Sequence, residues 1–251
     1  MVSHPCRVVY RALKLAGTLA LITLDYVFTI WCAGKAGSIC ARAIWLRRQS
    51  KRLLGVLAIK PTYHGEPPTE GVLICNNMSY TDILVLAARH PLVFISKAEV
   101  AHWPVFGMLT RFAGTLFVRR DVRSDVVRLA AEMPRIVDAG AVLAFFPEGT
   151  STGGDRLLPF HASLLAPASA HGWTVTPAFL RYELGPGEGS VEDEVAYWRD
   201  MVFGPHLLNL LGKREILASV TYGKPEKADK DRKALAQRLR EEVGRLGNIE
   251  L

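Results

Sequence analysis

The longest apolar stretch of the chain lies near its start. Leu15 to Ala33 is nineteen residues interrupted by a single charge, Asp25, just long enough to cross a bilayer as a helix. A carboxylate at the middle of a lipid-exposed span costs roughly 3 kcal/mol or more. The pattern therefore fits either a full span or a helix lying shallowly, with Asp25 turned to protein or headgroups. No early small-residue cleavage site is present and Trp31 stands near the far end, which argues against a removed signal peptide. From Ile39 to Leu57 the pattern changes. Ile44, Trp45, Leu53, Leu54 and Leu57 interleave with Arg42, Arg47, Arg48, Lys51 and Arg52. That is a basic amphipathic helix, suited either to a membrane interface or to packing on the domain with its basic edge in water.

Pro61 to Glu70 reads as a turn-rich connector and a domain boundary. Short apolar runs then alternate with helical patterns. Gly71–Cys75 is a strand, Asp82–Ala88 a helix that Ser79 and Asp82 would start as a capping box, and Leu92–Ser96 a strand. A helix follows from Pro104 to Phe112, then a strand over Thr115–Val118. The next helix, from about Ser124 to Asp138, would be capped by Ser124, kinked by Pro134 and ended by Gly140. Val142–Phe146, Val175–Leu180 and Ile216–Tyr222 are further strands, with Pro177 suggesting an edge or bulge, and Asp229–Leu246 is a charged terminal helix. The fold class predicted is α/β, a mostly parallel mixed sheet covered by helices on both faces, with an N-terminal helical membrane-anchoring segment. The predicted division is 1–60 for the anchor, 61–225 for the α/β domain and 226–251 for the C-terminal helix.

Charge sharpens the membrane reading. Residues 1–60 hold ten of the 31 basic residues and one of the 24 acidic, a net +9, whereas the remainder nets −2. Such asymmetry points to an anionic surface. Basic residues beside a long apolar run, with no nucleic-acid reading motif, favour lipid over nucleic acid. Cys6, Cys32, Cys40 and Cys75 form no C-x-x-C pair and have no histidine at ligand spacing. Neither a metal site nor a disulfide framework is expected, and a reducing compartment suits them.

The polar turn Asn76-Asn77-Met78-Ser79-Tyr80-Thr81-Asp82 follows the first strand of the domain, where open α/β sheets hold ligands. It resembles the Asn-His-x-Ser-x-x-Asp motif of the glycerolipid acyltransferases, the family of the 1-acyl-sn-glycerol-3-phosphate and lysophospholipid acyltransferases, with Asn77 at the histidine position. Gly114-Thr115-Leu116-Phe117-Val118-Arg119-Arg120 is similar to that family's second motif, Phe146-Pro147-Glu148-Gly149-Thr150 to its third, and Val175-Thr176-Pro177-Ala178 to its fourth. Four such segments in order, over about residues 70–225, are hard to obtain by chance. The wording is closest to the bacterial branch that acylates lyso-ornithine lipid.

The resemblance implies transfer of a fatty acyl group from an acyl-carrier-protein or coenzyme A thioester to a lysolipid hydroxyl, either lysophosphatidic acid or lyso-ornithine lipid. No cofactor and no metal are involved; the partners are membrane lipids and the thioester donor, at the cytoplasmic face of a bacterial inner membrane. It implies that the residue at position 77 is the base and that Asp82 orients it. It assigns acceptor binding to Gly114, Phe117, Arg120, Glu148, Gly149 and Thr150, with Lys97, Arg119 and His161 as further candidates. Without the other motifs, Asp82 reads equally as an acid at a helix N-terminus, Arg120 as a surface ion pair and Glu148 as a turn acid. Ser151 stands where many members have arginine, which removes a fixed cation from the headgroup site.

An imidazole near pKa 6.5 can take and return a proton at neutral pH, and a carboxamide cannot. Three alternatives follow for Asn77: an inactivated acyltransferase, a lipid-binding relative that has lost catalysis, or an enzyme whose base lies elsewhere, with His90, His102 and His161 as candidates. Asn77-Met78-Ser79 also spells a glycosylation sequon, without meaning in a cytosolic loop. A different chemistry is suggested by Gly149-Thr150-Ser151-Thr152-Gly153, which fits the nucleophile elbow of serine hydrolases, with Asp193 and His206 following in order. That elbow leads from strand directly into helix, and here the residues after it read as loop.

Overall fold

Two long helices precede the sheet. The computed structural model describes residues 4–34, 38–103, 105–119 and 122–249. Helix α1 (Pro5–Ala33) and helix α2 (Ser38–Leu57) form a hairpin, and Ala58, at φ 53°, turns the chain into β1 (Ile59–His64). There follow β2 (Val72–Cys75), α3 (Thr81–Arg89), β3 (Leu92–Lys97), a 3-10 turn (Ala98–His102), α4 (Phe106–Phe112), β4 (Leu116–Val118), α5 (Arg123–Asp138) and β5 (Val142–Phe145). The second half comprises α6 (Ala162–His171), β6 (Thr174–Leu184), the single turn α7 (Val191–Glu194), α8 (Phe203–Gly212), β7 (Ile216–Tyr222), β8 (Glu226–Lys227) and α9 (Arg232–Gly247).

The eight strands make one sheet in the order β1-β7-β6-β2-β5-β3-β4, with β8 beside the start of β6. Neighbours are parallel except where β6 meets β7 and β8. The apolar strand runs have a simple cause. Alternate residues of β2 serve opposite faces: Leu73 and Cys75 join a core with α2, α3, α4 and α8, and Val72 and Ile74 join one with α5, α6 and α9. A sheet covered on both sides needs apolar residues at every position. The predicted α/β class, mostly parallel and covered on both faces, is what forms.

Several local expectations change. Pro61–Glu70 is not all connector: β1 runs to His64, paired parallel with β7, and the loop begins at Gly65. Pro177 is in an interior strand, between β2 and β7. Its carbonyl accepts from Gly223 N at 2.8 Å, so its missing N–H faces the β7 side just past Tyr222, the last residue of that strand. The bond it forgoes is the reciprocal one to Gly223 O, beyond the last pair of the β6–β7 ladder. Helix α5 starts at Arg123 without a side-chain cap and runs through Pro134. Helices α6 and α8 lacked a clear sequence signal, because α6 is apolar around most of its circumference and α8 opens Phe203-Gly204-Pro205.

Helix α1 is long and apolar enough to cross a membrane, and its composition is that of a membrane anchor. Its outer side exposes Tyr10, Leu13, Leu21, Leu24, Phe28 and Trp31, the last at 81%. Asp25 turns inward, accepting from Arg48 Nη2 at 2.8 Å and from Gln49 of α2. The amphipathic helix α2 spends its apolar side on the core, with Trp45, Leu53, Leu54 and Leu57 all below 7% exposed, and leaves Lys51 and Arg52 in solvent. The apolar side of α2 is thus packed on the domain.

Gly71 feeds β2 at φ 71°, and a Cβ there would lie 2.2 Å from Thr174 O. Gly71→Ala should therefore lose about 2–4 kcal/mol of stability, from left-handed backbone strain plus a steric shift, read as a lowered denaturation midpoint.

Candidate active site

Strands β2 and β5 are adjacent and parallel, with Val72 opposite Leu143 and Ile74 opposite Phe145. Their carboxyl ends thus release two loops side by side, Asn76–Tyr80 and Phe146–Phe160. Asn76 continues the β2–β6 ladder with its side chain: Oδ1 accepts from Leu180 N at 2.7 Å and Nδ2 donates to Leu180 O at 3.0 Å. The turn that follows is built on buried carboxylates. Asp82 Oδ2 accepts from Met78 N at 2.7 Å and Ser79 N at 3.0 Å, and Oδ1 accepts from Tyr182 Oη at 2.8 Å. Glu148 accepts from Asn77 N at 2.9 Å through Oε1 and from Leu158 N at 2.8 Å through Oε2. Thr152 N donates to Asn77 O at 3.0 Å, closing the pair of loops.

The capping box is realised only by its acid. Asp82 reaches back to Ser79 N, but the residue before α3 is Tyr80, and the buried Ser79 hydroxyl has no partner among the described residues. Gly149, at φ 80°, permits the tight turn after Phe146 that buries Glu148.

Burial dominates the electrostatics. Asp82, fully buried, has its pKa raised to about 6 by desolvation, against the opposing pull of Met78 N, Ser79 N and Tyr182. Glu148 is raised to about 7, again chiefly by desolvation, which its two backbone donors oppose and the charge of Asp82 adds to. Tyr182 is pushed well above its ordinary range by burial and by Asp82.

Above this floor lies a cleft of about 210 Å³. Asn77, Ser79, Lys97, Gly149, Thr150 and Ser151 line it with an aromatic wall of Tyr80, Trp103, Phe106, Tyr197 and Trp198, and Arg199. A separate apolar cavity of about 140 Å³ shares Tyr80 and Phe106 with it and is walled by Leu15 and Leu19 of α1, Leu53 and Leu57 of α2, Leu84, Leu109 and Phe203.

The expected residues divide. Asn77, Lys97, Gly149 and Thr150 meet at the cleft, with Asp82 and Glu148 beneath it. Strand β4 lies beyond β3, so the second motif sits farther off. Gly114 lines a separate hollow with Ile39, Arg42 and Arg135. Phe117 pairs with Ser96, and Arg119 bonds to Asp125 at 2.8 Å. Arg120 lies outside the described residues. His161 is the exposed residue before α6, bonded through its N–H to Pro147 O. His90 ends α3 opposite Asp82, and His102 is exposed on the 3-10 turn; neither lines the cleft. The serine hydrolase alternative is contradicted. Residues 151–161 are loop, Ser151 Oγ donates to Tyr197 O at 2.5 Å, and both ring nitrogens of His206 are engaged by Tyr80 and Ala196. The sequence reading quoted Asn76 within the first motif without giving it a role, and it missed Tyr182 and the 197–199 wall, which lie far from the motifs in the chain and come near only in the folded structure.

Residues 60–181 match the profile of the family described as Acyltransferase. The lyso-ornithine lipid O-acyltransferase of Rhodobacter capsulatus is 37% identical over 68% of this chain and 63% of its own length. That of Pseudomonas aeruginosa is 37% identical over 68% of each. The chain belongs to the glycerolipid acyltransferase family. The chain spans 63% of the length of the first of these relatives. The crystal structure of the 1-acyl-sn-glycerophosphate acyltransferase PlsC from Thermotoga maritima superposes with a TM-score of 0.73 over 99% of this chain and 97% of that one, at 16% identity, and shares the fold of this acyltransferase.

Two measurements test the site. Asn76→Ala strips both hydrogen bonds from buried Leu180 and should cost about 2–5 kcal/mol in chemical denaturation. Asp82 and Glu148 hold their protons more tightly folded than unfolded, so the folded state binds more protons between about pH 4 and pH 7. Stability should fall as pH rises through that window, and Asp82→Asn and Glu148→Gln should each flatten the slope.

Proposed function

We propose that this chain is a membrane-associated acyltransferase that esterifies the hydroxyl of lyso-ornithine lipid, with lysophosphatidic acid as the second candidate acceptor, using an acyl-carrier-protein or coenzyme A thioester. In the reaction the acceptor oxygen forms a bond to the thioester carbonyl carbon, the C–S bond breaks, and the hydroxyl proton leaves for the thiolate. What supports this reading is a cleft lined by Asn77, Lys97, Thr150 and Ser151 with an aromatic wall, beside an apolar cavity under α1 and α2 that shares Tyr80 and Phe106 with it. The polar residues of the first suit a hydroxyl-bearing headgroup, and the second is lined for hydrocarbon. The similarity to two lyso-ornithine lipid O-acyltransferases favours that acceptor.

Asp82 and Glu148 hold the turn that presents position 77. Asn77 supplies the shape of the missing base without its proton chemistry, and loss of a positioned base typically lowers rate by about 10² to 10⁴. We take the chain to be an acyltransferase silenced at this position. A lipid-binding relative that has lost catalysis is the second reading. The anchor 1–60, the acyltransferase domain 61–225 and the C-terminal helix 226–251 would then sit at the cytoplasmic face of an inner membrane, the exposed apolar side of α1 meeting the lipid.

The test compares the chain with its Asn77→His form, acyl-carrier-protein and coenzyme A thioesters being supplied with each acceptor. Thioester-dependent acylation rising about 10²-fold or more on Asn77→His is the expected result. Equal activity in both would place the base elsewhere, and none in either supports the binding relative.

A further inference from the structure

We propose that Arg199, which lines the cleft, and its ion-pair partner Glu192 read an amino-acid headgroup on the acceptor, the guanidinium taking its carboxylate and Glu192 its ammonium. This rests on the lyso-ornithine lipid reading above, whose headgroup carries both charges, and it assigns the discrimination to residues outside the family profile, which ends at residue 181.

Arg199 lines the same cleft as Asn77 and Thr150. Its guanidinium lies over the Trp198 ring at 3.7 Å from the centroid, and Nη2 donates to Glu192 Oε1 at 3.1 Å. The segment is clamped to the two loops of the site, Tyr197 N donating to Met78 O at 2.8 Å and Ser151 Oγ to Tyr197 O at 2.5 Å, and Trp198 Nε1 ties it to Glu192 O at 3.1 Å. Gly153, beside the third motif, approaches so closely that a Cβ would lie 2.9 Å from both Glu192 Cγ and Trp198 Cζ2. Arg199 itself is held at φ 53°, a left-handed conformation that an L side chain keeps only when its surroundings impose it. These contacts place a cation over an aromatic face at the cleft.

The pair also selects. A guanidinium has five N–H donors and a carboxylate two acceptor oxygens, so one mutual bond leaves both free to bind further. A phosphate dianion at Arg199 would meet the repulsion of Glu192, whereas a zwitterion would satisfy both.

The experiment is calorimetric titration of neutral-detergent micelles containing lyso-ornithine lipid, its carboxyl methyl ester, its N-acetylated form, or lysophosphatidic acid into the unaltered chain, Arg199→Gln, Arg199→Gly and Glu192→Gln. Glycine suits the backbone at 199, so one variant removes the side chain without strain. The expected result is binding of lyso-ornithine lipid roughly tenfold or more tighter than its methyl ester, a difference that both Arg199 variants abolish. Glu192→Gln should abolish the preference over the N-acetylated form. Equal affinity of the unaltered chain for the lipid and its ester, or variants binding as tightly as the parent, would overturn the pair's role while leaving the acceptor reading intact. Binding of lysophosphatidic acid without lyso-ornithine lipid, or of no acceptor, would overturn both.

Discussion

Two buried carboxylates answering backbone N–H groups hold the functional end of this molecule in shape. A polar turn leaving a fully covered parallel sheet presents amides that no strand can pair, and each would be costly to bury alone. Asp82 takes those of Met78 and Ser79, and Glu148 takes those of Asn77 and Leu158. Desolvation raises both acids toward neutral pH, so the arrangement is achieved against an electrostatic cost. The support extends outward, since Arg240 of α9 donates to Leu157 O and Leu158 O behind the Glu148 loop.

The same economy of unpaired groups fixes the N-terminal helix. Arg7 and Arg11 donate to the carbonyls of Gly212, Leu211, Lys213 and Arg214 where α8 ends, and Asp25 meets Arg48 of α2. Polar contacts thus locate the inner side of α1 on the protein, while its outer side exposes Leu21, Leu24, Phe28 and Trp31. Leu15 and Leu19 of the same helix also wall the apolar cavity beside the cleft.

Asn77 is tolerated because the turn uses its backbone. Its N–H goes to Glu148 and its carbonyl to Thr152 N, neither of which depends on the side chain. The geometry of the site is therefore separable from its proton chemistry, and a substitution at this position need not disturb the fold.

How much of this was written in the chain differs element by element. Alternation of apolar runs and helical patterns gave the α/β class, because a two-faced sheet demands apolar strands. Four spaced motifs gave the family, because each is a local sequence bound to a local turn. The sequence could not show that Pro61 lies in a strand, since β1 exists only through pairing with β7, 150 and more residues away. Nor could it show that Pro177 is interior, since what spares its missing N–H is the end of another strand. The role of Glu148 as a brace on Asn77, the distance of Gly114 from the cleft and the arrival of Arg199 at the cleft that Asn77 lines were decided by the tertiary fold. Residue identity and spacing are properties of the chain, but which amide a carboxylate can reach is a property of the folded sheet.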